Sequence, residues 1–79
     1  MEIINSSGDI LICKFMFAVA GEKYSPKSSG NRVIVALHKK DKTSYILLVY
    51  HKNDLGKERE TDKWKKKIKE NYPYYNNIL

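Results

Sequence analysis

Arg32-Val33-Ile34-Val35-Ala36-Leu37-His38 and Tyr45-Ile46-Leu47-Leu48-Val49-Tyr50-His51, joined by Lys39-Lys40-Asp41-Lys42-Thr43-Ser44, are the residues on which the fold turns. Both runs are rich in β-branched and aromatic side chains and the connection is polar, a pattern that predicts an antiparallel hairpin with a charged tip. If the hairpin is symmetric about its tip, Arg32 faces His51, Ile34 faces Val49 and Ala36 faces Leu47. Val33, Val35, Leu37, Ile46, Leu48 and Tyr50 then occupy the opposite face. A slip of one residue would instead give Arg32 Lys52 or Tyr50 as its partner. Both faces are apolar at mid-strand, so both call for cover.

Downstream of Asn53-Asp54-Leu55-Gly56, the large apolar residues are Trp64, Ile68 and Tyr72, spaced four apart as on one stripe of a helix. Thr61 is the expected N-cap, Asp62 suits the first turn, and Lys65 to Lys69 lie where the negative end of the helix dipole favours cations. Pro73 should stop the helix. The stripe is narrow, so docking is expected through Trp64 and little else. The tail from Tyr74 to Leu79 either frays or packs on the sheet.

Upstream, Ile10 to Ala20 reads as a strand, with Leu11, Cys13, Phe15, Phe17 and Val19 on one face and Ile10, Ile12, Lys14, Met16 and Ala18 on the other. A helix there would be apolar nearly all round. Residues 1–9 read as a short extended piece followed by a turn at Asn5-Ser6-Ser7-Gly8-Asp9, and residues 21–30 read as a loop. The expected architecture is α+β: a small antiparallel sheet of three to four strands with a C-terminal helix packed on one face, in a single domain over residues 1–79. A chain of 79 residues buries only about 60% of the surface it exposes when unfolded, so its core is thin. One helix cannot cover two sheet faces.

Composition removes several classes of function. The lone cysteine, Cys13, forms no internal disulfide and has no second thiol or His pair at metal-ligand spacing, so no metal and no cofactor is expected. The apolar run Phe15 to Ala20 is far short of the roughly 20 residues of a membrane helix. Met1-Glu2 does not resemble the basic start of a secretory signal. The expected location is therefore cytoplasmic, with no membrane partner. The net charge is +6, and it is unevenly distributed: residues 1–38 carry four basic and three acidic side chains, residues 39–79 eleven and six. Such a field favours nucleic acid or an acidic protein.

Lys27, Arg32, Tyr50, His51 and Lys52 fall at one end of the predicted hairpin or in the loop leading into it. Cleavage of RNA by its own 2′-hydroxyl needs a base, an acid and fixed cations near the phosphate, and this set of side chains contains all three without a metal. On DNA the same residues would bind without cutting.

The segments Lys27-Ser28-Ser29-Gly30-Asn31-Arg32-Val33-Ile34 and Tyr45-Ile46-Leu47-Leu48-Val49-Tyr50-His51-Lys52-Asn53-Asp54, followed by the Lys-rich helix, resemble the second half of the RelE/ParE superfamily of toxins from toxin-antitoxin modules. The resemblance covers a little over half the chain. It implies a curved antiparallel sheet with packed helices and, in the RelE branch, cleavage of mRNA on the ribosome. Carried over, Arg32, His51 and Tyr50 would be catalytic, with Arg32 on phosphate and His51 or Tyr50 as general acid or base. Lys27 and Lys52 would add phosphate contacts, and Lys65, Lys66 and Lys69 would help hold RNA. The expected partners are RNA or the ribosome, plus an antitoxin, another protein or a second copy of the chain covering the apolar sheet face. The family's opening helical hairpin is missing here, which suggests a truncated or degenerate toxin. The ParE branch inhibits DNA gyrase and needs no such residues.

Each of these residues also has a plainer reading. Arg32 and Lys52 could be charges at strand ends, His38 and His51 residues without a role, and Lys63 to Lys69 a solvated helix face. Trp64 reads as a packing anchor and Cys13 as a small buried hydrophobe. Tyr72, Tyr74 and Tyr75 could close the core or stack on bases. The alternative to a toxin is accordingly a small non-enzymatic basic protein that blocks a nucleic acid or a nucleic-acid enzyme, as a phage-encoded inhibitor would.

Overall fold

Alternation and turn chemistry assemble the sheet in chain order. The computed structural model describes residues 2–21, 23, 25–55 and 59–79. Met1, Glu22 and Tyr24, read as N-terminus or loop, and Gly56, just before the expected helix, lie outside that set. Strands β1 (Glu2–Ser7) and β2 (Ile10–Met16) form a hairpin around Gly8-Asp9, with Gly8 at a φ of 59° that side chains rarely adopt. β3 (Asn31–His38) pairs with β2, and β4 (Thr43–His51) pairs with β3. The result is a four-stranded antiparallel sheet in the order β1-β2-β3-β4.

The β3–β4 register differs from the symmetric one. Arg32 faces Tyr50, not His51, and His51 faces Asn31. The tip is tighter than the sequence suggests: residues 39–42 form it, Lys42 adopts a left-handed φ of 52°, and His38 already faces Thr43. Further along, Ile34 faces Leu48 while Val35 faces Ile46, leaving Leu47 as the extra residue of a bulge. Leu47 is buried in the core and Leu48 packs against it, so the bulge turns two consecutive leucines toward the same side.

Helix α3 (Glu60–Asn71) supplies that side with Trp64 and Ile68, both fully buried with Ile12, Ile34 and Ala36. Ile68 thus docks as deeply as Trp64. Thr61 is not the N-cap: Arg59, at a φ of 58°, precedes the helix and caps it with no side-chain bond. Glu60 sets the start, because its carboxylate bonds Lys14 and Tyr50 on the sheet. Tyr72 lies outside the helix and is exposed, and a 3-10 turn at Pro73–Tyr75 follows. The tail packs: Tyr75 and Ile78 are buried, and Asn5 Nδ2 donates to the Ile78 carbonyl.

Two single-turn helices were not expected from the sequence, the first of them inside the segment read as a loop. α1 (Pro26–Ser29) has Ser25 as N-cap, proline in its first turn and Gly30 in the left-handed conformation at its end. α2 (Lys52–Leu55) follows β4 directly. Extents of 38 × 26 × 17 Å describe a slab one sheet and one helix thick. Its radius of gyration, 13.1 Å, exceeds the about 12 Å of an equally long rounder chain. Ile3, Cys13, Val35 and Ile46 run in a row across the sheet on the side away from α3, with Val33 and Val49 beside them. Ile46 is 65% exposed there.

Candidate nucleic-acid interface

The predicted cationic end exists, but its heads are turned inward. Neighbouring residues on a strand point to opposite faces, so Arg32 (opposite Tyr50) and His51 (opposite Asn31) leave the sheet on different sides. The expected pairing of guanidinium and imidazole around one anion does not form. Arg32 is only 6% exposed and its guanidinium donates to the carbonyls of Asn31 (2.9 Å) and Lys27 (3.2 Å). It ties β3 to α1.

His51 is held from both ring nitrogens. Nε2 lies 2.9 Å from the Ser29 carbonyl and Nδ1 lies 3.1 Å from the Asn53 backbone N–H. A carbonyl only accepts and an amide N–H only donates, so these partners select the Nε2–H tautomer. The ring lies directly over Gly30, whose backbone carbonyl accepts from the Lys52 N–H at 2.9 Å. Ser29 completes the corner, its Oγ donating to the Phe17 carbonyl at 2.6 Å. This histidine is a bracket between α1 and α2.

Tyr50 donates to Glu60 Oε2 at 2.7 Å, and Lys14 Nζ reaches the same oxygen at 3.0 Å. Burial, then the bond and the charge of Glu60, push the Tyr50 phenol well above its ordinary pKa. Burial alone would raise the Glu60 carboxyl, but the bonds from Tyr50 and Lys14 outweigh it and hold that carboxyl below its ordinary value. Lys14–Glu60 is the one ion pair among the described residues. All three expected catalytic side chains are therefore engaged in internal hydrogen bonds.

The lysines behave differently. Lys27 and Lys52 are exposed near Gly30, and Lys66, Lys67 and Lys69 are exposed on α3, with Lys65 half-buried. A groove of about 350 Å³ between α2 and α3 is lined by Asp54, Leu55, Lys63, Lys66, Lys67 and Glu70. Lys63 ties the two helices together there, donating to the Leu55 carbonyl at 2.5 Å.

α3 runs from the Tyr50 end of the sheet to the hairpin tip, where a second constellation stands. His38 Nε2 and the Tyr75 hydroxyl are 2.9 Å apart. His38 packs edge-to-face with Tyr45 (centroids 5.1 Å) and Tyr75 (6.0 Å) and lies nearly parallel to Tyr74 (6.4 Å, 22°). A cavity of about 400 Å³ beside it is lined by Leu37, His38, Lys39, Lys42, Thr43 and Ser44. Sequence reading treats His38 as a surface residue, because nothing in the local pattern brings Tyr74 and Tyr75, more than thirty positions away, to the hairpin tip. The available signal is Tyr-Tyr after the Pro73 stop.

Among the described residues no cluster of three or more His, Cys, Asp or Glu is placed to hold a metal ion, and no helix is long and apolar enough to cross a membrane. No protein-family model, curated protein or solved structure matches this chain.

Proposed function

We propose that this chain is a small non-enzymatic basic module that binds a polyanion, nucleic acid in the first instance. The observation that carries the reading is the division of labour among cations: Arg32 is spent on backbone carbonyls, while Lys27, Lys52, Lys66, Lys67 and Lys69 stand in solvent. Exposed ammonium groups displace condensed counterions from a phosphate chain, which is the main source of affinity in sequence-independent binding. A test is to titrate the chain with a labelled oligonucleotide across salt concentrations. Affinity should fall steeply and linearly in log–log form, and Lys66→Glu with Lys69→Glu should flatten the slope by about two contacts' worth, near 1.4 for a single strand. Salt-independent or absent binding would refute the reading.

A second reading, ribosome-dependent mRNA cleavage of the RelE kind, draws on the cross-strand pairing of Arg32 with Tyr50. It requires both heads to leave their present partners. Growth arrest on expression, abolished by Arg32→Ala or His51→Ala in folded protein, would support it. Cleavage-free binding supports the first reading instead. Under either, the exposed apolar residues Ile46 and Val49 on the sheet side away from α3 mark where an antitoxin, another covering chain or a second copy would sit.

A further inference from the structure

The hairpin-tip cluster combines features that packing does not require. Tyr75, 6% exposed, does the work of closing the core. Tyr74 is 72% exposed and Tyr45 51% exposed, yet both rings are held in place through His38 and Tyr75. Lys39, Lys40 and Lys42 are exposed in the turn between His38 and Tyr45, with Asp41 the one opposing charge there. Lys39 is fixed to β2's hairpin by its backbone N–H, which donates to the Asp9 carbonyl at 2.8 Å. Ordered aromatic rings left open to solvent and flanked by lysines are the makings of a surface that stacks bases while holding a phosphate chain.

We infer that this end of the sheet is a single-stranded nucleic-acid site, in which bases stack on Tyr74 and Tyr45 while Lys39, Lys40 and Lys42 contact the phosphates. The inference rests on the polyanion reading above and adds to its exposed lysines a stacking surface at the hairpin tip and a ligand class. A duplex already uses its base faces internally, so only an unpaired strand can offer them to tyrosine rings. Rings already ordered by His38 and Tyr75 lose little freedom on binding, which favours affinity. An acidic protein segment would satisfy the lysines but leave the ring faces unused.

Fluorescence anisotropy with the full chain decides the matter, using short oligothymidylate, oligouridylate, an abasic strand of equal length and polyglutamate. Base-bearing strands should bind roughly 5- to 150-fold tighter than the abasic strand, the range expected for one stacked base. Tyr74→Ala and Tyr45→Ala should each erase much of that preference, and Tyr74→Phe should keep it. DNA and RNA binding alike supports recognition of base and phosphate alone; a uridylate preference supports the same site with added 2′-hydroxyl contacts. If wild-type protein binds abasic and base-bearing strands equally, or the alanine variants keep the preference, the stacking site is refuted and the polyanion reading survives. Failure to bind any strand at low salt refutes both. Polyglutamate binding as tight as oligothymidylate overturns the site in favour of an acidic protein partner.

Discussion

A methyl group on Gly30 would come within 2.5 Å of His51 Nε2, and the backbone there has a φ of 84° that disfavours any side chain. Gly30→Ala should therefore destabilise the fold by about 2–4 kcal/mol in urea denaturation. Pairing it with His51→Ala removes the clash but not the backbone strain, so the double variant should be less destabilised than the two single effects added together. Glu60 makes a different prediction, because its folded pKa is depressed. Its contribution is fully present above the unfolded value of about 4.3 and is lost as pH falls through the lower folded value. Glu60→Gln should cost about 1–3 kcal/mol at neutral pH and flatten the acid limb of a stability–pH curve. An unchanged acid limb would remove Glu60 from that role.

At the scale of elements, α3 is attached by two buried side chains, Trp64 and Ile68, so its docking is concentrated. Trp64→Ala should cost about 3–5 kcal/mol. That is from about a quarter to all of the about 4–12 kcal/mol expected of a domain this size, and near-ultraviolet circular dichroism should show the loss of fixed packing. Arg59 enters the helix at a φ of 58°, so Arg59→Gly should raise stability by about 0.5–1 kcal/mol despite glycine's entropy. A melting temperature unchanged or lowered would mean that the Arg59 side chain contributes more than its backbone strain. Helix and strands were legible because periods of 3.6 and 2 are local properties of Trp64/Ile68 and Ile10/Ile12. The turns of α1 and α2 were not read as helices, although Ser25-Pro26 and Gly30 carried capping signals for the first. The β3–β4 register escaped because a bulge at Leu47 leaves no mark in a run of aliphatic residues.

For the whole molecule, one layer of helix on one sheet leaves Ile3, Ile46 and Val49 in solvent. Ile46→Thr and Val49→Thr should each change stability by no more than about 0.5 kcal/mol while lowering binding of a hydrophobic dye, since both side chains are more than half exposed. A large loss of stability would show that this face is covered in solution.

Length, charge and periodicity by themselves determined that this is a small basic α+β chain with one long helix to pack on its sheet, since the apolar helix faces are countable along the chain. Tertiary structure alone decided what the polar heads do. A guanidinium, phenol or imidazole takes its chemistry from what lies within hydrogen-bond reach: Arg32 met carbonyls, Tyr50 a carboxylate and His51 a carbonyl and an amide N–H, while His38 met a tyrosine from the far end of the chain. Those neighbours are set by long-range packing, which no local pattern encodes.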